Sequence, residues 1–228
     1  MKTKLSCITK ALLATGISLA ASSSFASLIL VSPVAYHGTG LGAVNTILTI
    51  QAAPTETGSV AWNGTTDVIT GDAKTGASQT LTRTLSELEV TNATDLRVVF
   101  NPVEPGGTTN PITLTDLILR IYSPTGTTLF TSGVFSPVTF PVTETGTGVS
   151  GFVFRLDETD AAQAQLSAFS GAFGVNRVGL TASATSSNGG NDTFFTVSQS
   201  NNIPEPATIT TLLLGLGALV AMRKKSAT

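Results

Sequence analysis

The 228-residue chain holds one cysteine, one histidine, one tryptophan and two methionines, and only 11% of its residues are charged. Each shortage excludes a class of protein. The cysteine is Cys7, near the N-terminus, so no disulfide framework stabilises the body of the chain. Zinc needs several Cys or His ligands at one point, and His37 with Cys7 cannot supply them. Between the basic residues at the two ends, from 11 to 222, the only lysine is Lys74. That interval carries six basic residues against 14 acidic ones, hence a net charge of −8. Nucleic-acid binding requires clustered Lys and Arg against phosphate, and this chain has no such cluster there. Catalytic groups are equally sparse. A Ser-His-Asp triad would have to use His37, and no Gly-x-Ser-x-Gly elbow accompanies it. The expectation is a protein that is not an enzyme, with no assigned catalytic residue.

Thr, Val, Leu, Ser and Gly fill the interval 27–200, with turn signals at short spacing. Strands are predicted at 28–36, 44–51, 79–85, 96–100, 112–122, 127–131, 149–156, 175–182 and 193–198. The first is broken by Pro33, as an edge strand would be. Asn63-Gly64 between Val60-Ala61 and Val68-Ile69 is a short-hairpin signal. In 79–85, Leu81, Arg83 and Leu85 alternate with Thr80, Thr82 and Thr84, predicting a partly buried apolar face. Leu117, Leu119 and Ile121 share a face of 112–122, and Ser123-Pro124-Thr125-Gly126 turns the chain into a hairpin. One helix is predicted, from 160 to about 172. Asp160 with Gln163 forms its capping box, and Ala162, Leu166, Phe169 and Phe173 form its apolar stripe. The expected fold is all-β: one antiparallel β-sandwich domain, jelly-roll- or Greek-key-like, with one short helix.

Candidate site residues in this domain are few. Glu87 and Glu89, two apart on a strand, would share a face as a glycosidase carboxylate pair does, though surface carboxylates are more often solubilising charges. Asp157, Glu158 and Asp160 cluster ahead of the helix. Capping and the helix dipole explain them, and a calcium site is the alternative if backbone oxygens join in; no other cofactor is expected. Trp62, beside its Asn-Gly turn, is the best-placed ring for stacking on a sugar, against the plainer role of packing on the sheet.

The termini say more. Lys2, Lys4 and Lys10, an apolar run from 11 to 21, and Ser24-Phe25-Ala26 make a secretory signal peptide over 1–26, cleaved between Ala26 and Ser27. Its partners would be the Sec machinery and signal peptidase. At the other end, 201–228, Pro204-Glu205-Pro206 breaks any helix. An uncharged apolar block, 207–222, follows and predicts a transmembrane helix of about 24 Å. Arg223, Lys224 and Lys225 then hold the end on the cytoplasmic side.

This tail resembles the PEP-CTERM sorting signal: a Pro-Glu-Pro motif, a membrane stretch and a basic cluster at the extreme C-terminus. Ser226-Ala227-Thr228 trails the cluster where many members end in arginines. The resemblance implies an exosortase as processing partner and export across the inner membrane of a Gram-negative bacterium that makes extracellular polysaccharide. It further implies transient anchoring in that membrane before the outer surface or extracellular matrix is reached. The stretch 92–101, with its following turn and hairpin, resembles a block in PEP-CTERM proteins of unknown function and brings no activity with it. Together these features predict a surface-directed, non-enzymatic structural or binding protein. The alternative is a carbohydrate-binding module or glycoside-active enzyme of the cell surface.

Overall fold

A computed structural model of the chain describes residues 27–31, 45–76, 78–103, 111–140 and 151–198. The predicted signal helix and transmembrane helix lie outside these residues. Among the described residues no helix is long and apolar enough to cross a membrane.

The described strands are β1 (Leu28–Leu30), β2 (Asn45–Ile50), β3 (Thr55–Trp62), β4 (Asp67–Gly71), β5 (Arg83–Thr84), β6 (Leu96–Asn101), β7 (Ile112–Tyr122), β8 (Thr128–Thr131), β9 (Val138–Phe140), β10 (Phe152–Leu156), β11 (Arg177–Thr185) and β12 (Asp192–Ser198). One helix, α1 (Glu158–Ala168), lies between β10 and β11. The strands form two sheets. One has five strands in the order β1-β10-β6-β12-β2; the other runs β4-β3-β11-β7-β8, with β5 beside β11 and β9 beside β7. Every pairing is antiparallel. The all-β sandwich expected from the spacing of turns is therefore the fold observed.

The pairing is nested. β2 lies beside β12, β3 beside β11, β6 beside β10 and β7 beside β8, so the chain folds back on itself and alternates between the sheets. In the five-stranded sheet Leu28 stands opposite Leu156, Arg155 opposite Arg97, and Ser198 opposite Leu96. The chain thus enters at β1 and leaves at β12 on the same end of that sheet.

Phenylalanines fill the space between the sheets. Phe100 stacks on Phe194 at 4.7 Å between ring centroids, and Phe140 sits 4.2 Å from Phe152. From the facing sheet, Leu114, Leu117, Leu119 and Ile121 of β7 are fully buried. Strict alternation would turn Leu114 and Leu117 to opposite faces. A register shift opposite Ser183 and Ala184, which pair with Asp116 and Leu114, returns both to the core. The 112–131 hairpin is present as predicted, with Gly126 N donating to Ser123 O across its turn at 3.0 Å.

Three local expectations are corrected. Of 79–85 only β5 is strand; the expected face is partly buried, with Leu85 fully buried and Leu81 and Arg83 half-exposed, but Thr80 and Thr82 on the other side are buried as well. Specific partners make this tolerable: Thr80 Oγ1 accepts from Thr49 N at 3.2 Å, and Thr82 N donates to Asp67 Oδ1 at 3.2 Å. The helix begins earlier than predicted, because Asp157 rather than Asp160 is its N-cap. Its buried face is Ala161, Ala164 and Ala168, and Leu166 is 80% exposed. Small side chains let the helix lie close to β8 and the turn at Ala93–Asp95, so burial follows proximity rather than the larger apolar residues. Finally, β3 and β4 are joined by four residues, 63–66, with Trp62 opposite Asp67. Asn63 Oδ1 accepts from the amides of Thr65 and Thr66 at 2.9 and 2.8 Å, a side-chain turn that replaces the expected two-residue one.

Candidate functional site

At the end of β10 the chain leaves the sheet and starts α1, and this junction brings Asp157, Glu158 and Asp160 together in sequence. Asp157 is extended and caps the helix: its Oδ1 accepts from Asp160 N at 2.9 Å. Its other oxygen, Oδ2, accepts from Ser27 N at 3.0 Å, while Asp157 N donates to Ser27 O at 3.1 Å. Asp160, one turn on, is only 2% exposed, and its Oδ2 accepts from Gly133 N at 3.0 Å. Burial raises the Asp160 carboxyl above its ordinary value; the Gly133 N–H opposes that rise and the Asp157 charge adds to it. Glu158 points to solvent. The two aspartates thus face different backbone amides instead of converging. Among the described residues no group of three His, Cys, Asp or Glu is placed to hold a metal ion, so Asp157, Glu158 and Asp160 do not assemble as a cation site.

Beside the junction runs an open cleft of about 780 Å³, lined by Thr94, Asp95, Arg97, Arg155, Glu158 and Gln165 among others. Its floor is the cross-strand pair Arg155–Arg97. Two guanidiniums opposite each other repel unless each finds acceptors. Arg97 donates to Thr94 O and Leu96 O at 2.6 and 3.0 Å, and Arg155 donates to Leu156 O at 3.2 Å. Gln165 Oε1 ties the helix to the far wall by accepting from Ala93 N at 2.9 Å. The sequence offered one signal for this cleft: a single arginine interrupting each of two apolar runs, Leu96–Asn101 and Phe152–Leu156.

Trp62 lies elsewhere, at the end of β3. Its indole N–H donates to Pro124 O at 2.8 Å, and the Arg177 guanidinium lies over the ring at 4.4 Å from its centroid. Arg177 is itself held by Thr82, donating to Oγ1 and to the carbonyl at 2.7 and 2.8 Å. The turn after Trp62 packs on the turn after Tyr122 so closely that a Cβ on Gly64 would come within 2.5 Å of Thr125 O. The indole therefore joins two turns, with one face covered by a cation and its N–H already bonded.

Glu87 and Glu89 are not on a strand, which corrects the shared-face expectation. They lie in a turn after β5, and Glu89 has a φ of 55°. Glu87 closes a capping box: its Oε2 accepts from Thr84 N at 2.7 Å, and Glu87 N donates to Thr84 Oγ1 at 3.1 Å. The Thr84 N–H is the main reason its carboxyl is held below the ordinary value. The Thr-x-x-Glu pattern of residues 84–87 was available in the sequence as a helical-turn signal, hidden by the alternation before it.

His37, Ala26, Pro204, Glu205, Pro206, Arg223, Lys224 and Lys225 lie outside the described residues. For the tail, comparison supplies what geometry does not. A family model described as the PEP-CTERM protein-sorting motif matches residues 202–225. No curated protein and no solved structure matches the chain. The motif supports an exported protein that is processed by an exosortase and passes through a membrane-anchored stage.

Proposed function

We propose that this carrier of a PEP-CTERM sorting motif is a surface-directed structural or binding protein, not an enzyme, associated with extracellular polysaccharide. Residues 1–26 route it through Sec and are removed by signal peptidase between Ala26 and Ser27. The apolar block 207–222 then holds it in the inner membrane of a Gram-negative bacterium, with Arg223, Lys224 and Lys225 on the cytoplasmic side. Exosortase processing near Pro204-Glu205-Pro206 releases it to the surface or matrix. The match at 202–225 carries this reading. What supports a non-catalytic domain is that Glu87, Asp157 and Asp160 each bind backbone amides that shape a turn or a helix end. Expressing the full chain with and without an exosortase tests the processing: a smaller, relocated product is expected only with the enzyme. The same size and location in both strains would sink it.

The nested strand pairing supports reading the sandwich as a jelly roll, an architecture that also serves lectin domains. One observation favours a second reading, a carbohydrate-binding module: the open cleft beside α1, with arginines, carboxylates and an amide at its walls. Glycan-array binding lost in Arg155→Ala but kept in Trp62→Ala would place a sugar in that cleft. The reverse pattern would place it on the indole, and no binding by the parent would leave the structural reading alone.

A further inference from the structure

The contact between Ser27 and Asp157 changes character if residue 27 becomes the first of the chain. Ser27 N now donates as a backbone amide to Asp157 Oδ2 at 3.0 Å. Hydrolysis of the Ala26–Ser27 peptide bond adds water across it. The carbonyl carbon of Ala26 takes the hydroxyl, and the acid so formed loses its proton to become a carboxylate; the Ser27 nitrogen takes both the water's other hydrogen and that released proton to become an ammonium. That nitrogen already lies within ion-pair distance of a carboxylate oxygen. We propose that removal of residues 1–26 completes the fold: the new Ser27 ammonium pairs with Asp157 Oδ2 and fastens β1 to the N-cap of α1. The proposal rests on the cleavage site assigned above.

The surroundings favour such a latch. β1 is three residues long and sits at a sheet edge, held by its pairing with β10 and by Val31 N donating to Val153 O at 2.8 Å. So short an edge strand gains most from an anchor at its free end. The reciprocal bond, Asp157 N to Ser27 O at 3.1 Å, fixes Ser27 against the carboxylate on two sides. An ammonium beside a helix N-terminus is disfavoured by the dipole. Here that is offset by Asp157 itself, with Glu158 and Asp160 also in the first turn of α1. The other charged groups nearby are Arg155 on β10, Arg97 on β6 and Asp95 in the turn at Ala93–Asp95, all lining the neighbouring cleft. On β7, Asp116 and Arg120 belong to the opposite sheet, where Arg120 donates to Thr181 Oγ1 at 2.9 Å.

An α-amino group ordinarily titrates near pH ~7.7–8.0, and an opposing carboxylate raises it. A group with a raised folded value contributes stability that is full below its unfolded value and is lost as pH rises through the folded one. The contribution should therefore be present at pH 7 and fade above about pH 8 to 9. The test compares the chain 27–228 with the same chain N-terminally acetylated and with chain 26–228, each with and without Asp157→Asn, which keeps a capping oxygen. At pH 7 the free Ser27 chain should be favoured about tenfold in its folding equilibrium, a rise of about 3–5 °C in midpoint for a domain of this size. The advantage should shrink at pH 10 and vanish in Asp157→Asn. Equal stability of free and acetylated chains, or an advantage that survives Asp157→Asn, would overturn the ion pair. Mass spectrometry of the exported protein reads the cleavage separately: a first residue other than Ser27 would overturn the maturation step through the processing reading itself, whatever the pair does in the defined chain.

Discussion

Along β6 every one of six residues is buried, and in β12 six of seven are, whereas β3 alternates from Thr55 to Val60 between exposed or half-exposed and buried positions. The five-stranded sheet is buried on both faces, although Arg97 and Asn101 interrupt the apolar residues of the outer one. Val98, Phe100 and Phe194 join the main core, while their neighbours Val99, Val153 and Phe195 form a second small cluster with Val197 packed against it. The other sheet turns hydroxyls outward instead. Thr57 donates to Ser183, Ser59 pairs with Thr70, and Thr113 pairs with Thr139, each across adjacent strands. An antiparallel sheet facing water on one side reads as alternation, and one covered on both sides reads as a continuous apolar run. The two sheets of this domain therefore follow different sequence grammars: one alternates toward an outer row of hydroxyls, and the other carries a small second apolar cluster on its outer face.

That contrast can be broken most sharply at Phe195. If its face is covered, Phe195→Ala should cost about 3–5 kcal/mol, as core aromatic truncations do. Thr57→Ala, on the outer face of the other sheet, should stay within about 0.5 kcal/mol. Denaturant midpoints of the two variants decide it, and similar small costs would mean that the outer face of the five-stranded sheet is not a second core. A smaller effect sharpens the same comparison at the sheet end. Asp160→Ala leaves the part-buried Gly133 N–H without its acceptor and should cost about 1–3 kcal/mol in thermal unfolding, while Asp160→Asn retains an acceptor and should cost less.

The smallest effect is a pair of opposed pH dependences. Glu87, with its lowered value, contributes stability that is present above its unfolded value and lost as pH falls through the folded one. Asp160, with its raised value, contributes stability that is present below its unfolded value and lost as pH rises through the folded one. Between pH 3 and 7, the parent's advantage over Glu87→Gln should grow with pH, and its advantage over Asp160→Asn should shrink. Parallel curves for the two variants would contradict the environments described for these carboxylates.

The strands that alternate, or that are plainly apolar, were legible in the sequence. The bounds of β7 match the expectation, and β6 extends one residue past it. Misreadings fell where a polar side chain does a backbone's work. Thr80 and Thr82 are buried because Thr49 and Asp67 meet them from other segments, which no local period reveals. Asp157 outcompeted Asp160 as the cap because β10 delivers it in an extended conformation next to Ser27. The cleft depends on Arg97 of β6 and Arg155 of β10 meeting in register, a long-range fact invisible along the chain. Alanines won the helix face over Leu166 for a similar reason: the distance to β8 was set by the sandwich, not by the helix.

The shared end at which β1 begins and β12 finishes gives the domain a direction. Three strand steps separate Leu28 from Ser198, about 14 Å at ordinary spacing. Six residues lead from Ser198 to Pro204, a covalent reach of at most about 22 Å. Both flanks of the described domain therefore leave from the same pole. Only residues 51–54 separate β2 from β3, so β3 runs back toward that pole and brings Trp62 with it. At the opposite pole, 51–54 and 186–191 cross between the sheets.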